Sequence, residues 1–147
     1  MKATCRALVL ADYADARALY QTLSTGHSLP SYDAGIGGFE ALLAHPGTWV
    51  IGAELDTRIV AMATLHVLPN MTYRMRPYAL VENVATLQSH QGKGFGRQIM
   101  AAVAQKAWAE GAFKIMLLTN RARGATAFYE KQGYVVGEKD GMILRRV

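Results

Sequence analysis

The segment 81–100, VENVATLQSHQGKGFGRQIM, joins three different patterns without a break. Its first residues have the apolar and β-branched character of a strand, and its last residues have the apolar spacing of a helix. Between them, glycines occupy the alternate positions 92, 94 and 96. Glycine lets the backbone adopt positive φ and approach a ligand closely, and a helix N-terminus attracts anions. The segment therefore predicts a strand, a phosphate-binding loop and a helix.

Two common nucleotide-binding motifs do not fit this loop. A Walker loop needs a Gly-Lys pair followed by Ser or Thr, and no such pair occurs here. A dinucleotide fingerprint, G-x-G-x-x-G, started at either of the first two glycines, meets Arg97 or Ile99 at its third glycine position. The pattern that does fit is Q-x-x-G-x-G, formed by Gln91, Gly94 and Gly96.

Periodicity and turn residues predict the remaining elements. The glycine-, serine- and proline-rich stretch 25–38 is predicted to be a loop, and 113–119 a central strand covered on both faces. Asp12 is the predicted N-cap of the first helix, and Trp108 is predicted on the buried side of the third. Strands are predicted at 5–12, 48–55, 59–69, 78–87, 113–119 and twice within 134–147, and helices at 11–24, 39–46, 96–111 and 124–132.

Length and composition limit the class of protein. The chain has 147 residues, of which 51% are hydrophobic and 18% charged, so it can build one ordinary core and is too apolar for a disordered chain. No apolar run is long enough to span a bilayer. The single cysteine, Cys5, excludes an internal disulfide and a cysteine-based zinc site. We therefore expect one cytoplasmic domain over 1–147, with no metal.

The net charge of +5 and the isoelectric point near 9.5 have three explanations. A nucleic acid, an anionic small-molecule cofactor or a simple solvated surface would each account for them. The basic residues are scattered rather than gathered into the dense stripe typical of nucleic-acid binders.

With these residues in view, the sequence resembles the GNAT N-acetyltransferase superfamily, whose acetyl-coenzyme A loop has Gln or Arg, then x-x-G-x, then Gly or Ala. The likeness extends over the whole of 81–100 and to AFYEKQGY at 127–134, which is similar to a later helix and strand of the family. The predicted element order, β-α-α-β-β-β-α-β-α-β-β, is also that of the family. The resemblance implies a mixed, mostly antiparallel α/β (α+β) domain with a splayed central strand pair.

The resemblance implies that acetyl-coenzyme A is the cosubstrate and that the glycine loop holds its pyrophosphate. The backbone of Val84 and Thr86 would pair with the pantetheine arm, and an N–H near Val84 or Ala85 would polarise the thioester oxygen. The strand at 113–119 would face the gap between the two splayed central strands. The loop residues implied in coenzyme binding are Gln91, Gly92, Lys93, Gly94, Phe95, Gly96 and Arg97.

Three side chains are candidates for the chemistry of acetyl transfer. In many relatives an acid near the position of Glu82, nine residues before the loop's Gln91, acts as general base, often through water. The alternatives are that Glu82 only binds the substrate ammonium or caps a polar network, or that His66 on the preceding strand is the base; His66 could also be a structural histidine. Tyr129 matches the family tyrosine that protonates the departing thiolate, with a core aromatic as the alternative reading.

One position departs from the family pattern. Many relatives carry an Asn about seven residues before the tyrosine, in contact with the pantetheine arm, and position 122 here is Ala. Asn120 or Arg123 is the candidate replacement. Asn120 and Tyr129 complete the coenzyme-binding set that the resemblance implies.

The acceptor is predicted to be a small-molecule amine, held by 25–38, by the loop at 69–78 and by the C-terminal hairpin. No nucleic-acid or membrane partner is predicted, and a homodimer is left open. A non-catalytic acyl-coenzyme A sensor and a basic nucleic-acid-binding module remain alternatives; the latter predicts binding with a steep salt dependence. The candidate acceptor residues are Tyr32, Asp33, Tyr73, Arg74, Arg76 and Tyr78.

Overall fold

The computed structural model describes residues 1–24 and 29–146, and the chain divides into two compact units, Met1–Met116 and Leu117–Val147. The strands are β1 (Thr4–Ala7), β2 (Thr48–Leu55), β3 (Arg58–Leu68), β4 (Tyr78–Thr86) and β5 (Ile115–Leu117). The helices are α1 (Tyr13–Leu23), α2 (Tyr32–Ala44), the single turn α3 (Thr72–Met75), α4 (Phe95–Ala109) and, in the second unit, α5 (Thr126–Glu130). Short 3-10 turns lie at Leu10–Asp12, Gln88–His90 and Arg121–Arg123.

One five-stranded sheet, in the order β1-β2-β3-β4-β5, forms the centre of the fold. The first four strands are antiparallel neighbours. Beside β4, the N–H of Phe113 donates to the carbonyl of Pro77, and the N–H of Ala79 donates to the carbonyl of Lys114, both at 2.9 Å. Because these two bonds advance in the same direction along both segments, β5 makes the sheet mixed. The α/β fold class is as predicted.

The two faces of the sheet are covered by different helices. Val50, Thr64 and Glu82 stand opposite one another on β2, β3 and β4, so their side chains share a face. Val50 packs there in a cluster with Leu19 of α1 and Phe39 of α2. Helix α4 packs on β2 and β3 through its own buried side, which includes Phe95. No helix in the described part of the chain is long and apolar enough to cross a membrane.

Helix α2 begins seven residues earlier than the sequence indicates, so the prediction of a loop up to residue 38 is wrong for 32–38. The Ser31 hydroxyl caps the helix by accepting from the N–H of Ala34 (3.3 Å). Gly35 is buried where a side chain would collide with the Tyr13 ring, so this glycine serves close packing rather than a turn. Residues 25–28 of the predicted loop lie outside the described residues.

Asp12 occupies the N-cap position of α1, as predicted, but its carboxylate does not cap the helix. It accepts two hydrogen bonds from Arg6 (2.8 Å each) and one from the N–H of Val9 (2.8 Å). Arg6 also binds Glu54 of β2. The Arg6 guanidinium is the main cause that lowers the pKa of the Asp12 carboxyl. The side chain therefore joins β1 to the start of α1 instead of closing the helix end.

Two predictions of burial are also wrong. Strand β5 has only three residues, is half-buried and ends the described sheet, whereas 113–119 was expected to be a central strand covered on both faces. Trp108 of α4 is 52% exposed. Ile99, Met100, Val103 and Ala107 of that helix are buried as expected. The apolar run therefore indicated a strand, but it did not reveal its place in the sheet.

In the second unit, α5 ends at Glu130, two residues before the predicted end at 132. Gly133, with a φ of 89°, closes the turn after the helix by donating its N–H to the carbonyl of Glu130 (3.0 Å). The two strands predicted within 134–147 are absent from its described part, residues 134–146. A hairpin turn at Asp140-Gly141 does not stabilise a ladder by itself, because an isolated two-stranded hairpin is marginal in water. The apolar residues of this segment are instead exposed: Val135, Val136, Met142, Ile143 and Leu144.

Candidate functional site

The glycine loop lies between the end of β4 and the start of α4. Gly92 and Gly94 have φ values of 72° and 87°, in the left-handed region. A Cβ atom at either glycine would meet nothing within 4 Å, so backbone conformation rather than crowding requires glycine there. Gly94 is the N-cap of α4, and Gln91 holds the loop to β4 by donating to the carbonyl of Thr86 (3.3 Å). The loop therefore has a defined backbone conformation.

The N-terminus of α4 carries the features of an anion site. The N–H of Gln98 makes the first helical bond, to the carbonyl of Gly94 (3.1 Å), so the amides of 95–97 precede the helical ladder. No side chain caps this end. Lys93 and Arg97 are exposed beside it, while the Phe95 side chain is buried in the core. Backbone amides and two cations are thus available to a phosphate group, and they fit a pyrophosphate.

Strand β4 contains a bulge that sequence reasoning missed. Thr64 pairs with Glu82 and Met62 with Ala85, so two β4 residues, Asn83 and Val84, stand opposite one β3 residue. Asn83 has a φ of 53°, which Asn tolerates better than most residues. The signal was an Asn inside a strand whose other residues are mostly apolar or β-branched. A bulge interrupts ladder pairing and redirects side chains, so the backbone near Val84 and Ala85 differs from a regular strand.

Glu82 lies on the face of the sheet that α1 and α2 cover, and its side chain is exposed. His66 pairs with Leu80, two residues away on β4, so it shares this face with Glu82. Diagonal neighbours of this kind lie roughly 7–8 Å apart. The structure therefore brings the two candidate bases to the same face of adjacent strands.

His66 also belongs to a hydrogen-bonded chain that leads to the surface. Its Nδ1 is 2.9 Å from the hydroxyl of Thr48, which is 3.1 Å from Nδ1 of the exposed His45. Thr48 itself is buried. The single hydroxyl proton can be given to only one ring, so the other ring must donate. This chain fixes the His66 ring and directs its Nε2 away from Thr48.

Tyr129 lies in α5, in the second unit. Its ring makes edge-to-face contacts with Phe128 and Tyr134, at centroid distances of 5.0 and 5.9 Å. Burial, with a smaller contribution from Tyr129, raises the pKa of Tyr134 to about 12. The Tyr134 hydroxyl is buried without a hydrogen-bond partner among the described residues. Two neighbouring phenols, Tyr129 on α5 and Tyr134 after its end, thus lie in different surroundings.

Asn120 has a local structural role. Its Oδ1 accepts from the N–H of Ala122 (2.9 Å) and caps the turn Arg121–Arg123. An Ala at position 122 supplies the backbone donor for this bond, and Gly124, with a φ of 62°, ends the turn. The cap occupies the oxygen of the amide and leaves its NH₂ group for other contacts.

A cavity of about 310 Å³ lies elsewhere in the first unit. It is bordered by β1, β2 and α4, with Trp49 and Ile51 among its lining residues. These two residues alternate with Val50 and therefore face away from the side of the sheet that carries Glu82. Arg6 at its border is bound to two carboxylates, and Lys106 to Glu110. The cavity therefore lies on the opposite face of the sheet from Glu82, outside the candidate functional site.

A strand with a bulge, a left-handed glycine loop and an uncapped helix N-terminus together form a site suited to a phosphate-containing ligand. The model of the acetyltransferase (GNAT) family matches residues 15–134. The chain belongs to this family and is an acetyltransferase. No curated protein sequence matches it significantly.

Solved structures support this assignment. A putative acetyltransferase from Agrobacterium tumefaciens str. C58 is 35% identical, with a TM-score of 0.92 and coverage of 97% of this chain and 99% of that one. The glucosamine-6-phosphate N-acetyltransferase of Arabidopsis thaliana is 18% identical, with a TM-score of 0.80 and 99% coverage of both chains. The ribosomal-protein-alanine N-acetyltransferase of Brucella melitensis is 19% identical, with a TM-score of 0.80 and coverage of 98% and 99%. The last two show the fold alone.

The two glycines of the loop give a matched test of the anion site. Gly94→Ala places a Cβ at a φ of 87°, which strains the N-cap and shifts the amides of 95–97. We expect coenzyme A affinity, measured by calorimetry, to fall about 10-fold or more, together with a loss of about 1–2 kcal/mol in the free energy of unfolding. Gly96 lies within α4 at helical φ, so Gly96→Ala should keep the affinity and stabilise the helix by up to about 1 kcal/mol. Equal losses in both variants would contradict this role for Gly94.

Proposed function

We propose that the protein transfers the acetyl group of acetyl-coenzyme A directly to the primary amine of a small molecule. The observation that carries the proposal is the continuity of the β4 bulge, the glycine loop and the α4 N-terminus. One strand thereby supplies backbone groups for an acyl arm and leads, at its end, to amides for a pyrophosphate. Family membership supports acetyl as the group that is transferred.

The coenzyme role is assigned mainly to backbone groups. The amides of 92–97, with Lys93 and Arg97, bind the pyrophosphate. Gln91 maintains the loop through its bond to Thr86. The backbone at the bulge, from Val84 to Thr86, pairs with the pantetheine arm, and an N–H at Val84 or Ala85 donates to the thioester oxygen. Such a donor stabilises the negative charge that develops there during attack.

The bound coenzyme supplies the acetyl group and a thiol leaving group. Glu82 removes the proton of the acceptor ammonium, directly or through water, so that the nitrogen lone pair can form the new C–N bond. Tyr129 donates its phenolic proton to sulfur as the C–S bond breaks. Proton transfers of this kind typically contribute 10²–10⁴-fold to the rate.

His66 is the second candidate base. Its position beside Glu82 on the same face and its chain through Thr48 to the exposed His45 support a role in carrying the proton to solvent. In this arrangement Glu82 and His66 act in sequence rather than in competition. The pair would then connect the acceptor amine to bulk water through groups that the fold already holds.

The proposal is tested first by ligand-dependent thermal unfolding. A ligand that binds only the folded state raises the transition temperature. We expect acetyl-coenzyme A to raise it, and ATP or NAD at the same concentration to leave it unchanged. A shift without acetyl transfer to any member of an amine panel would indicate an acyl-coenzyme A sensor. No shift at millimolar acetyl-coenzyme A would contradict the proposal.

A further inference from the structure

A cluster of cations and aromatic rings lies at the start of β4, away from the groups assigned above. We call Tyr73, Arg74, Arg76, Phe113 and Lys114 the basic-aromatic patch. The Tyr73 and Phe113 rings stack, with centroids 4.2 Å apart and an interplanar angle of 22°. Arg76 Cζ and Lys114 Nζ lie 5.6 and 5.3 Å from the Phe113 centroid. The Phe113 ring thus lies close to both the Arg76 and the Lys114 cations.

No carboxylate among the described residues forms an ion pair with the cations of the patch. The sequence contains no acidic residue in 57–81 or in 111–116. The ion pairs found among the described residues use Arg6, Arg58 and Lys106. Arg76 donates to the backbone carbonyl of Tyr73 (3.3 Å), which leaves its positive charge unpaired. Cations that the fold gathers without a carboxylate are suited to an external anion.

The backbone of the patch is held in an unusual conformation. Tyr73, Arg74 and Met75 have φ values of 51°, 60° and 61°, three consecutive side-chain-bearing residues in the left-handed region. That region is unfavourable for residues with a Cβ. The Tyr73–Phe113 stack and the bonds between Asn70 and Thr72 hold the turn nonetheless. Strain of this kind is maintained by its surroundings and is concentrated at functional positions.

Strand geometry separates the patch from the pyrophosphate loop and connects it to Glu82. Strand β4 runs from Tyr78, beside the patch, to Thr86, beside the loop, which is about 26 Å at 3.3 Å per residue. The patch therefore does not serve the same phosphates as the loop. Lys114 Nζ lies 5.9 Å from the Tyr78 ring. Tyr78 and Glu82, four residues apart before the bulge, share a face at about 13 Å.

We propose that the basic-aromatic patch binds an anionic group, a carboxylate or a phosphate, on the acceptor, while the amine of the same acceptor lies at Glu82. This inference rests on the proposed function and narrows its substrate class to anionic primary amines. The distance from Tyr78 to Glu82 favours acceptors whose amine and anionic group are on the order of 10 Å apart. Planar guanidinium groups suit either anion, because they bind carboxylate and phosphate oxygens in pairs.

Binding is tested with inorganic phosphate and with acetate, monitored through backbone amide chemical shifts at constant ionic strength. The protein is first saturated with coenzyme A, so that the glycine loop is occupied. We expect saturable shifts at 73–78 and 113–114. They should be lost in Arg76→Gln/Lys114→Gln and kept in Arg145→Gln/Arg146→Gln, which removes the same two charges elsewhere. Shifts that do not saturate, or that survive the patch substitutions, would overturn the proposal.

Turnover with paired acceptors tests the substrate class. The pairs are glucosamine 6-phosphate with glucosamine, and lysine with 1,5-diaminopentane. We expect kcat/KM to favour the anionic member of at least one pair by about 10- to 100-fold, and the preference to disappear in Arg76→Gln/Lys114→Gln. A preference for the member without the anionic group in each pair, no preference in either pair, or a preference that survives the double substitution, would overturn it. Failure of coenzyme A to bind would instead contradict the proposed function. The phosphate titration, repeated without coenzyme A, would still test the patch, because its readout is the shifts of the patch amides themselves.

A macromolecular anion gives a different result. A single-stranded oligonucleotide would bind the same cations with an affinity that falls steeply with salt. If it shifted the patch amides at concentrations at which phosphate and acetate do not, the patch would be a nucleic-acid surface and the proposal would be wrong.

Discussion

Replacing Glu82 with glutamine is expected to lower kcat for acetyl transfer by about 100- to 10,000-fold, because the amide keeps the shape of the side chain and cannot accept the ammonium proton. The assay follows thiol release at saturating acetyl-coenzyme A with the best acceptor of the amine panel. Glu82 is exposed on β4, so we expect Glu82→Gln to fold as the unmodified protein does, with an unchanged thermal unfolding transition.

The split between kcat and KM distinguishes the roles of Glu82. A carboxylate that only attracts the ammonium would raise KM in Glu82→Gln and leave kcat nearly unchanged, which would contradict its role as base. Glu40→Gln is the matched control, because Glu40 is an exposed carboxylate on α2. Its removal should change neither parameter.

His66→Gln separates the two candidate bases. If Glu82 and His66 act in sequence, the variant should slow turnover less than Glu82→Gln and change its pH profile. Thr48→Val, which breaks the chain to His45, should then reproduce the effect of His66→Gln. A loss in His66→Gln that equals or exceeds that of Glu82→Gln would assign the base to His66.

Replacing Tyr129 with phenylalanine is expected to lower kcat by about 100-fold or more while coenzyme A affinity stays within a few-fold of the unmodified protein. The variant keeps the ring contacts with Phe128 and Tyr134 and removes the phenolic hydroxyl with its proton. Without that proton, sulfur must leave as a thiolate, which raises the barrier to C–S cleavage. The loss of kcat should be smaller with an acyl donor whose thiol is more acidic, because such a thiol leaves more readily as a thiolate without being protonated.

Tyr134→Phe is the matched control for this experiment. It removes a hydroxyl from the neighbouring ring at a site where that hydroxyl is buried and has no hydrogen-bond partner among the described residues. Removing an unsatisfied hydroxyl is neutral or stabilising, so both activity and the unfolding transition should hold or improve. Equal losses of activity in the two variants would mean that Tyr129 acts through packing, not as a proton donor.

The glycine loop and its flanking strand and helix were predictable, because their determinants are local. Glycines 92 and 94 adopt the left-handed conformation that only glycine adopts easily, and the apolar spacing after them gives α4. The bulge at Asn83 was not predicted, because the alternation of residues within one strand does not show how many of them face each residue of the neighbouring strand. The chain His66–Thr48–His45 was also beyond sequence reasoning, since it joins side chains from two strands and a helix end.

The basic-aromatic patch was likewise predicted only in part. The sequence identified Tyr73, Arg74 and Arg76 as candidate acceptor residues, because they lie in a loop rich in charges and rings. Phe113 and Lys114 were interpreted as the start of a buried strand. Only the hydrogen bonds that join 113–114 to the start of β4 bring these residues to the turn. A contact between segments that lie 40 residues apart leaves no periodic signal in either of them.

The sequence by itself determined helices α1 and α4, strands β2 to β4, the glycine loop and the family, since backbone preference and hydrophobic period act over a few residues. The sequence predicted too much strand, because a strand is stable only when it pairs with a neighbouring strand. The two strands expected within 134–147 are not formed in 134–146, and 113–119 contains only the short β5. Tertiary structure decided which residues meet across strands, from the Glu82–His66 face to the cations around Phe113. These contacts depend on strand register and on the burial of one sheet face, and both are set by the packing of the whole unit.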